Sequence, residues 1–480
     1  MVTQRGAVAE FPPRRAALLV PPLVRRHPWA LAFVLVLGLA AALRFIGIDY
    51  GTPLPLLNPD EKSIVPRAWE MVHGGGVNPH WFDYPTLLLY VLAPFQAWQA
   101  APSYLDARIV VALLGLASVA ACGWLGLRAY GRTAAVVAAS AVAVETTHVA
   151  YSHAAVTDVP LTLGVALALT LMVTKRIELA GLAVGLAVAT KYPGVFLLVP
   201  LVVAGWRQWR RLGLAFVLAA AAFAASSPFF LVDFGQAVGD AWRVQRLAHQ
   251  GWLGFEHDGI APVAFLDRLW EGFGPALAIA VVGLAIALIR RRRADLVLGS
   301  FVVVYFLGLI PVHAHFDRYV LPLVPPLAVL AGRLRRLAPI TLALLAVPLV
   351  WSIQDDVRLT RTDTRAVARA WIDGHLPRGA RIAVDPSTPP LPRLRVLPLE
   401  LPGPGRETDP NRSVVRLEQR GVRYVLVTGA VADRVLSAPR RYPAEARFYA
   451  QLRSRATLEY YRGPGKGLEG PWIALFRLYS

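Results

Sequence analysis

The chain has 480 residues, of which 56% are hydrophobic and only 17% are charged, whereas soluble globular proteins carry roughly one quarter charged residues. Its net charge is +19, but the basic residues form short clusters between apolar blocks instead of one stripe, which argues against a nucleic-acid partner. The single cysteine, Cys122, excludes an intramolecular disulfide and a cysteine-based zinc site.

Residues 1–27 are basic and end in Arg25 and Arg26, directly before the first apolar segment at 28–47. This segment is too long for the apolar region of a typical signal peptide and lacks a convincing cleavage site. We therefore predict a cytoplasmic N-terminus, followed by an uncleaved membrane anchor.

Apolar segments of about the length that crosses a ~30 Å hydrocarbon core recur up to residue 353. They lie near 28–47, 107–127, 133–152, 158–174, 177–191, 194–206, 212–232, 274–289, 294–312, 319–332 and 337–353. The pattern predicts an α-helical polytopic membrane protein with about eleven transmembrane helices. A further stretch, 84–101, contains two prolines and two glutamines that suit a lipid-facing span poorly, so we assign it to the membrane interface.

Six basic clusters determine the predicted topology. They are Arg25/Arg26, Arg128/Arg132, Lys175/Arg176, Arg207/Arg210/Arg211, Arg290 to Arg293, and Arg333/Arg335/Arg336. All six face the cytoplasm if 84–101 does not cross and the chain turns at 191–194, whereas five move outside if 84–101 crosses. The positive-inside rule therefore predicts a bacterial-type plasma (inner) membrane protein with an extracytoplasmic C-terminus.

The composition changes after residue 353, which divides the chain into a membrane domain at 28–353 and a small α/β domain at 354–480. The predicted elements of the second domain are helices at 363–376 and 443–454 and strands at 381–384, 423–427 and 472–478. This topology predicts that the second domain is extracytoplasmic and shares the outer face with the loops 48–106, 153–158, 233–272 and 313–318.

The first candidate site is Asn58-Pro59-Asp60-Glu61, which directly follows the first span. An Asn cap, a first-turn proline and two acids are also what an ordinary helix start contains. The apolar stripe that follows predicts an amphipathic interfacial helix, kinked at Pro66. A carboxylate held at the membrane surface can also serve as a general base, and Asp60 is our candidate for that role.

Two further acids follow in the predicted outer segments. Asp83 lies in the run from His80 to Pro85 and is either a turn residue or a group that orients a ligand or binds a cation with His80. A single His–Asp pair is a weak metal signal. Asp158 lies at the outer end of a span, where an ordinary helix start is the alternative explanation.

Basic and histidine side chains complete the candidate set. Lys191 lies in a membrane-embedded turn, where a lysine either reaches the interface or contacts an anion such as phosphate. Arg318 can make bidentate phosphate contacts, although a solvated turn is the alternative. His313 and His315 lie with Arg318 in one short turn that is dense in polar and aromatic groups, whereas His249 and His257, in the loop 233–272, are candidates on composition alone.

If the group transferred on the outer face is a sugar, which the residues alone do not show, its donor is expected to be lipid-linked, because nucleotide sugars are made in the cytoplasm. Its phosphate leaving group needs cations to stabilise the developing charge, and Lys191, Arg318 or a divalent metal at Asp83 and a histidine could supply them. With Asp60 as the base for the acceptor hydroxyl, a single displacement would invert the anomeric carbon.

Five motifs resemble those of the C-type (GT-C) membrane glycosyltransferases, among them the protein O-mannosyltransferases and the bacterial transferases that place aminoarabinose on lipid A. They are Asn58-Pro59-Asp60-Glu61, Phe82-Asp83-Tyr84-Pro85, Ala154 to Asp158, Gly185 to Pro193, and Arg318-Tyr319-Val320-Leu321-Pro322. The resemblance covers about residues 28–335.

The resemblance implies a polyprenyl-phosphate sugar as donor, with a hexosyl or pentosyl group transferred to an acceptor hydroxyl of a glycan, lipid or protein. It implies a catalytic acid at Asp60, ligand- or metal-binding acids near Asp83 and Asp158 with Glu61 and His80 beside them, and phosphate contacts from Lys191 and Arg318. Tyr84 stands where the aminoarabinose transferases have lysine, which leaves the donor and acceptor open and makes Tyr84 a further candidate.

Two other functions fit a polytopic membrane protein with polar outer loops. A transporter or lipid flippase predicts internal repeats and acids near the bilayer midplane, and neither is evident in the sequence. A scaffold whose outer domain binds partners predicts that the outer acids can be neutralised without loss of function.

Overall fold

The computed structural model describes residues 28–479. The predicted cytoplasmic segment 1–27, with its arginine cluster, lies outside the described residues. The described part consists of a helical membrane domain and a smaller mixed domain that follows it.

The helical part contains eighteen α-helices connected by short turns. They are α1 (Pro28–Phe45), α2 (Glu61–Val72), α3 (Leu87–Gln96), α4 (Tyr104–Tyr130), α5 (Arg132–Val144), α6 (Thr146–Ser152), α7 (Asp158–Val173), α8 (Ile177–Thr190), α9 (Leu198–Gly205), α10 (Trp209–Ser226), α11 (Pro228–Val232), α12 (Phe234–Gln250), α13 (Ala261–Phe273), α14 (Ala276–Arg290), α15 (Arg293–Leu309), α16 (Val324–Gly332), α17 (Ala338–Leu344) and α18 (Ala346–Leu359). Short 3-10 helices occupy Tyr192–Leu197, Asp317–Leu323 and Arg335–Leu337.

The C-terminal part contains seven strands and four helices. They are β1 (Thr362–Asp363), α19 (Thr364–His375), β2 (Arg381–Val384), β3 (Arg395–Pro398), α20 (Val414–Gln419), β4 (Tyr424–Thr428), α21 (Gly429–Ser437), α22 (Pro443–Arg455), β5 (Ala456–Arg462), β6 (Leu468–Glu469) and β7 (Ile473–Leu478). The five-stranded sheet has the order β3-β2-β4-β7-β5. Strand β2 is parallel to both of its neighbours, β3 and β4. Strand β7 is antiparallel to both of its neighbours, β4 and β5.

Alternation of side chains along β4 shows how this sheet is buried. Val425 and Val427 join the core cluster shared with α20 to α22, whereas Leu426 joins the cluster on the opposite face, shared with α19. Because successive strand residues point to opposite faces, a central strand buried on both sides reads as a continuous apolar run. The structure thus has a small C-terminal sheet region where we predicted an α/β domain, while the domain boundary stays a prediction. The elements that we did not predict are β1, β3, β5, β6, α20 and α21.

Few single helices of the described chain are long enough to cross a membrane without a break. Three pass on length and composition, Tyr104–Tyr130, Trp209–Ser226 and Arg335–Leu359, and the number rises to five if each of two sharply bent pairs is one span. The last of these extends past the predicted domain boundary at residue 353 to Leu359. Our count of about eleven spans stays a prediction.

The ambiguous stretch 84–101 forms only the ten-residue helix α3. At 1.5 Å per residue this helix reaches about 15 Å, half of the ~30 Å hydrocarbon core, so it cannot cross alone. It packs against α2 and α4 through a core that includes Leu88, Leu92 and Ile64.

Glu145 breaks the single span that we predicted at 133–152. Helices α5 and α6 meet there at 59°, because Glu145 has extended backbone angles and its carboxylate accepts a hydrogen bond from the His148 amide at 2.5 Å. A side chain that caps a new helix inside an apolar segment is invisible to a hydropathy pattern.

The five described basic clusters lie at one end of the helical bundle. Arg335 donates to the carbonyl of Tyr130 at the C-terminal end of α4, Arg333 pairs with Asp295 at 2.8 Å, and Arg293 donates to the carbonyl of Met172 at 3.0 Å. The common location is what the predicted topology requires, while the side of the membrane that this end faces stays a prediction.

Small residues bring α8 and α10 into close contact. A Cβ atom on Gly181 or Gly185 would lie 2.1 or 2.2 Å from the carbonyl oxygens of Ala215 and Ala219. Small-xxx-small spacing of this kind allows two helix backbones to approach within a membrane. The contact fixes the position of the α8 C-terminus, where Lys191 follows.

We expect Gly185→Ala to destabilise the protein by about 1–3 kcal/mol, because the added methyl group would overlap backbone atoms of α10. Gly213→Ala is the matched control, since Gly213 lies on α10 with open space beyond its Cα and alanine favours a helix. Thermal unfolding in detergent measures both variants. Equal midpoints for the two variants would contradict the packing described for α8 and α10.

Candidate active site

The sequence-predicted acids and cations converge at the bundle end opposite the basic clusters. Arg108, near the N-terminal end of α4, binds Glu61 at this end of the bundle, whereas Tyr130, the last residue of α4, contacts Arg335 at the other end. Asp60 precedes α2, Asp158 begins α7, Lys191 follows α8, and Arg318 lies in the 3-10 helix before α16. The boundaries of these helices and loops thus place the four candidates at the same end of the helical bundle.

Asp60 is the N-cap of α2, but its side chain makes no capping bond. Its own amide donates to the side-chain oxygen of Asn58 at 2.9 Å, so the predicted Asn58 cap is wrong by two residues. The Asp60 carboxylate is therefore free to accept a hydrogen bond from the Tyr84 hydroxyl at 2.9 Å and from the guanidinium of Arg318.

The electrostatic environment keeps Asp60 ionised. Burial by itself would raise the pKa of the Asp60 carboxyl, but the charge and hydrogen bond of Arg318, the hydrogen bond from Tyr84 and the charge of Lys191 hold the pKa below its usual range. At neutral pH Asp60 is thus a carboxylate whose basicity is reduced by its partners.

Lys191 pairs with Asp158 rather than with Asp60. The Lys191 ammonium lies 2.5 Å from a carboxylate oxygen of Asp158, and both side chains are buried. The ammonium also lies 5.7 Å from the centre of the Tyr84 ring and 5.4 Å from that of Tyr319. The two aromatic rings and Asp158 together compensate the cost of a buried ammonium.

Glu61 does not face the cavity that Asp60 lines. Both of its carboxylate oxygens accept from Arg108 at 2.8 Å, one also accepts from the Ala155 amide at 2.9 Å, and the side chain is fully buried. The predicted ligand role of Glu61 is replaced by a structural one, because this ion pair joins the first loop to α4 and to the turn before α7.

Asp83 and His80, the proposed metal pair, bind different partners. Asp83 pairs with Arg243 of α12, whereas His80 is exposed and its Nδ1 lies 3.2 Å from Asp233. Within residues 28–479 no group of three or more His, Cys, Asp or Glu side chains is arranged to hold a metal ion.

The other predicted histidines separate into one cavity residue and three surface residues. His315 is buried, lines the cavity and lies 3.1 Å from Asp258 through Nδ1. His249 contacts the carbonyl of Gln245 and His257 that of Ser437, and His313 is exposed. None of these three lines either of the two cavities beside Asp60.

Two cavities meet at Tyr84, Arg318 and Tyr319. A polar cavity of 550 Å³ contains Asp60. A second cavity of 560 Å³ contains Asp158 and Lys191, and its wall is otherwise largely apolar, with Phe196, Phe223, Phe230, Trp242 and Leu309 among its lining residues. The boundary between them is where an amphipathic molecule could place a charged group between an apolar and a polar part.

Sequence reasoning missed several cavity residues, chiefly those of α12. Arg243 pairs with Asp83 from this helix, which lies within a segment that we described only as the outer loop 233–272. The amphipathic spacing of Phe234, Val238 and Trp242 was the available signal for a helix there. Asp317, which lies beside Arg318 and accepts a hydrogen bond from Tyr151 at 2.7 Å, was not among the predicted site residues.

Comparison with solved structures identifies similar architectures in two proteins. ArnT from Cupriavidus metallidurans in the apo state has a TM-score of 0.61 at 17% identity, covering 94% of this chain and 98% of that chain. The same protein bound to undecaprenyl phosphate has a TM-score of 0.59 at 16% identity, with the same coverage. The archaeal oligosaccharyltransferase AglB from Archaeoglobus fulgidus, in complex with an inhibitory peptide and a dolichol-phosphate, has a TM-score of 0.55 at 12% identity, covering 93% of this chain and 74% of that chain.

The chain has the GT-C fold. The resemblance predicted from five motifs is thereby confirmed for the fold. A family model described as Glycosyltransferase family 87 matches residues 81–311 of this GT-C chain, a range that includes Asp83, Asp158 and Lys191 but neither Asp60 nor Arg318. No curated protein matches the sequence.

We expect Glu61→Gln to destabilise the protein by about 3–5 kcal/mol, because it leaves the buried guanidinium of Arg108 without a counter-charge. Glu70→Gln is the control, since Glu70 lies on the same helix and is exposed. Thermal unfolding in detergent again provides the measurement. An unchanged midpoint for Glu61→Gln would show that the pair does not hold the first loop in place.

Proposed function

We propose that the protein is a membrane glycosyltransferase that moves a sugar from a polyprenyl-phosphate donor to an acceptor hydroxyl at the outer face of the membrane. The observation that carries the proposal is the position of Asp60, Arg318 and Lys191 at the junction of a polar and an apolar cavity. The family 87 match and the GT-C fold support the same class of reaction.

The two cavities suit the two ends of such a donor. The polyprenyl chain would occupy the apolar cavity, its phosphate would lie at the junction near Lys191 and Arg318, and the sugar would extend into the polar cavity beside Asp60. The structures of ArnT with undecaprenyl phosphate and AglB with a dolichol-phosphate support a lipid phosphate as ligand. The lipid-linked donor would enter the apolar cavity from among the surrounding membrane lipids.

Both cations are bound by carboxylates of the chain itself. Arg318 pairs with Asp60, and Lys191 pairs with Asp158. A phosphate entering the junction would compete with Asp60 for Arg318. Once Asp60 loses this partner its pKa rises, so the carboxylate becomes a stronger base only when the donor is in place.

The reaction then proceeds as one displacement. The acceptor oxygen attacks the anomeric carbon, its proton moves to Asp60, and the bond from the anomeric carbon to the phosphate oxygen breaks. The polyprenyl phosphate leaves with one additional negative charge, which Arg318 and Lys191 stabilise electrostatically. Attack from the face opposite the leaving group inverts the anomeric configuration.

The described residues do not fit a divalent metal in this conformation. Asp83 is neutralised by Arg243, Asp158 by Lys191, and the proposed histidine ligand at position 80 is bound to Asp233. We therefore route no step through a metal and assign the role of cation to the two basic side chains.

The membrane orientation belongs to the same proposal. The basic clusters share the bundle end opposite Asp60, which under the positive-inside rule would make the Asp60 end extracytoplasmic. The C-terminal α/β domain lies at the Asp60 end, because Arg365 of α19 donates to the carbonyl of Leu56 at 2.6 Å. Residues 354–480 would accordingly be extracytoplasmic as well.

We expect Asp60→Asn to lower the rate of sugar transfer on the order of 10²–10⁴-fold, because the acceptor hydroxyl loses its base. The same variant should bind undecaprenyl phosphate at least as tightly as the unaltered protein, since the anion that competes for Arg318 is gone. Asp49→Asn is the control, because Asp49 is an exposed acid of the same loop. Transfer is measured with a radiolabelled undecaprenyl-phosphate sugar and binding with undecaprenyl phosphate in nanodiscs.

Full transfer activity of Asp60→Asn would show that Asp60 is not the base for the acceptor hydroxyl. Weaker binding of undecaprenyl phosphate by this variant would contradict the competition between Asp60 and the donor phosphate. Movement of the lipid across sealed vesicles without any covalent product would support a flippase instead.

A further inference from the structure

One segment of the membrane domain is held by the C-terminal domain. Residues 251–258, here called the strap, connect α12 to α13. Leu253 of the strap is buried within the C-terminal core, the Tyr442 hydroxyl donates to Glu256, and Nε2 of His257 lies 3.0 Å from the carbonyl oxygen of Ser437. The strap is therefore anchored to the C-terminal domain on one of its sides.

The opposite side of the strap forms a wall of the polar cavity. Trp252 and Phe255 pack on Phe316 with ring centres 5.8 and 4.9 Å apart, and Asp258 lies 3.1 Å from His315. The C-terminal domain thus reaches the cavity that contains Asp60. Contacts on both sides of the strap set the position of the C-terminal domain relative to this cavity.

The cavity lining contains four arginines, three of which are neutralised by acids of the chain. Arg243 pairs with Asp83, Arg268 with Glu271 at 3.0 Å, and Arg318 with Asp60. The fourth, Arg434, comes from α21 of the C-terminal domain and lies at the solvent-exposed rim of the cavity. Within residues 28–479 its guanidinium makes no salt bridge and no hydrogen bond.

The acids nearest to Arg434 along the chain and on the strap are bound elsewhere. Asp433 accepts from the indole nitrogen of Trp472 at 2.9 Å, and Glu256 accepts from the Gly254 amide at 2.8 Å as well as from Tyr442. Gly254 lies directly against the Arg434 stem, since a Cβ there would be 3.0 Å from the arginine Cδ. The stem is thereby held against the cavity rim while the charge stays uncompensated.

We propose that Arg434 binds an anionic group of the acceptor, so that the acceptor is an acidic glycan or glycolipid carrying a phosphate or carboxylate near the accepting hydroxyl. The proposal rests on the proposed function, because it places the acceptor in the Arg434 side of the polar cavity and leaves the Asp60 side to the donor sugar. A guanidinium that faces a polar cavity without a counter-ion gains most from a phosphate or carboxylate, which it can bind through two parallel hydrogen bonds.

The test uses the full chain in nanodiscs with an undecaprenyl phosphate that carries a radiolabelled hexose or pentose. Envelope glycans and lipids are separated by anion exchange into neutral and acidic pools, and each pool is offered as acceptor. We expect label to enter the acidic pool. Treatment of that pool with phosphatase distinguishes a phosphate, which would be lost as an acceptor determinant, from a carboxylate, which would not.

Substitution at Arg434 distinguishes acceptor binding from catalysis. Arg434→Gln should raise the acceptor concentration for half-maximal transfer about tenfold or more, because one charge-assisted contact is lost, and should change this concentration more than the maximal rate at saturating acceptor. Arg434→Lys should raise the acceptor concentration for half-maximal transfer less than Arg434→Gln does, because lysine keeps the positive charge. Arg440→Gln is the control, since Arg440 is an exposed arginine of the same domain.

Label entering the neutral pool as readily as the acidic one would overturn the proposal. Equal acceptor dependence for Arg434→Gln and Arg440→Gln would also overturn it, while donor cleavage by the unaltered protein would show that the transferase function still stands. Absence of donor cleavage by the unaltered protein with either sugar would overturn the proposed function itself.

Discussion

The ion pair between Asp60 and Arg318 is the interaction on which the site depends. It joins residues 258 positions apart in sequence and lies where an apolar and a polar cavity meet. The two side chains are partly buried, and an ion pair withdrawn from water usually gains little stability over an apolar pair of similar shape, because both charges lose hydration. Its presence at a cavity junction is therefore better explained by what the two charges can do when a third, from a phosphate, arrives.

The surrounding fold holds the two partners without neutralising them permanently. Arg108 binds Glu61, the residue directly after Asp60, and so fixes the backbone of the first loop while the Asp60 side chain can change partners. The close contact of α8 with α10 fixes the C-terminus of α8, which presents Lys191. Rigid supports around exchangeable ion pairs are what a site needs if it must respond to its donor and keep its geometry.

Helices and strands whose apolar residues recur at a regular spacing could be predicted from the sequence. Strand β4 and helices α19 and α22 were found by apolar periodicity, and the common location of the basic clusters followed from the positive-inside rule. Asp60, Lys191 and Arg318 could be assigned to one face of the membrane because each follows or precedes an apolar segment. The structure brings all three to one junction, as that topology requires.

Partners of buried charges could not be predicted, since they depend on contacts between distant segments. Glu61 looked like a second site acid until Arg108, an unremarkable residue at the start of a span, proved to be its partner. The break at Glu145 was missed because the acid caps a helix inside an apolar run. Helix α12 was missed because the segment 233–272 was judged by its polar composition, although Phe234, Val238 and Trp242 recur at helical spacing.

The most direct test of this account is an experimental structure of the protein in nanodiscs with undecaprenyl phosphate. We predict that the phosphate lies within hydrogen-bonding distance of Arg318 and Lys191, that the polyprenyl chain fills the apolar cavity, and that Asp60 has separated from Arg318 to face the polar cavity. A bound phosphate at another place, or an intact Asp60–Arg318 pair beside the bound lipid, would contradict it.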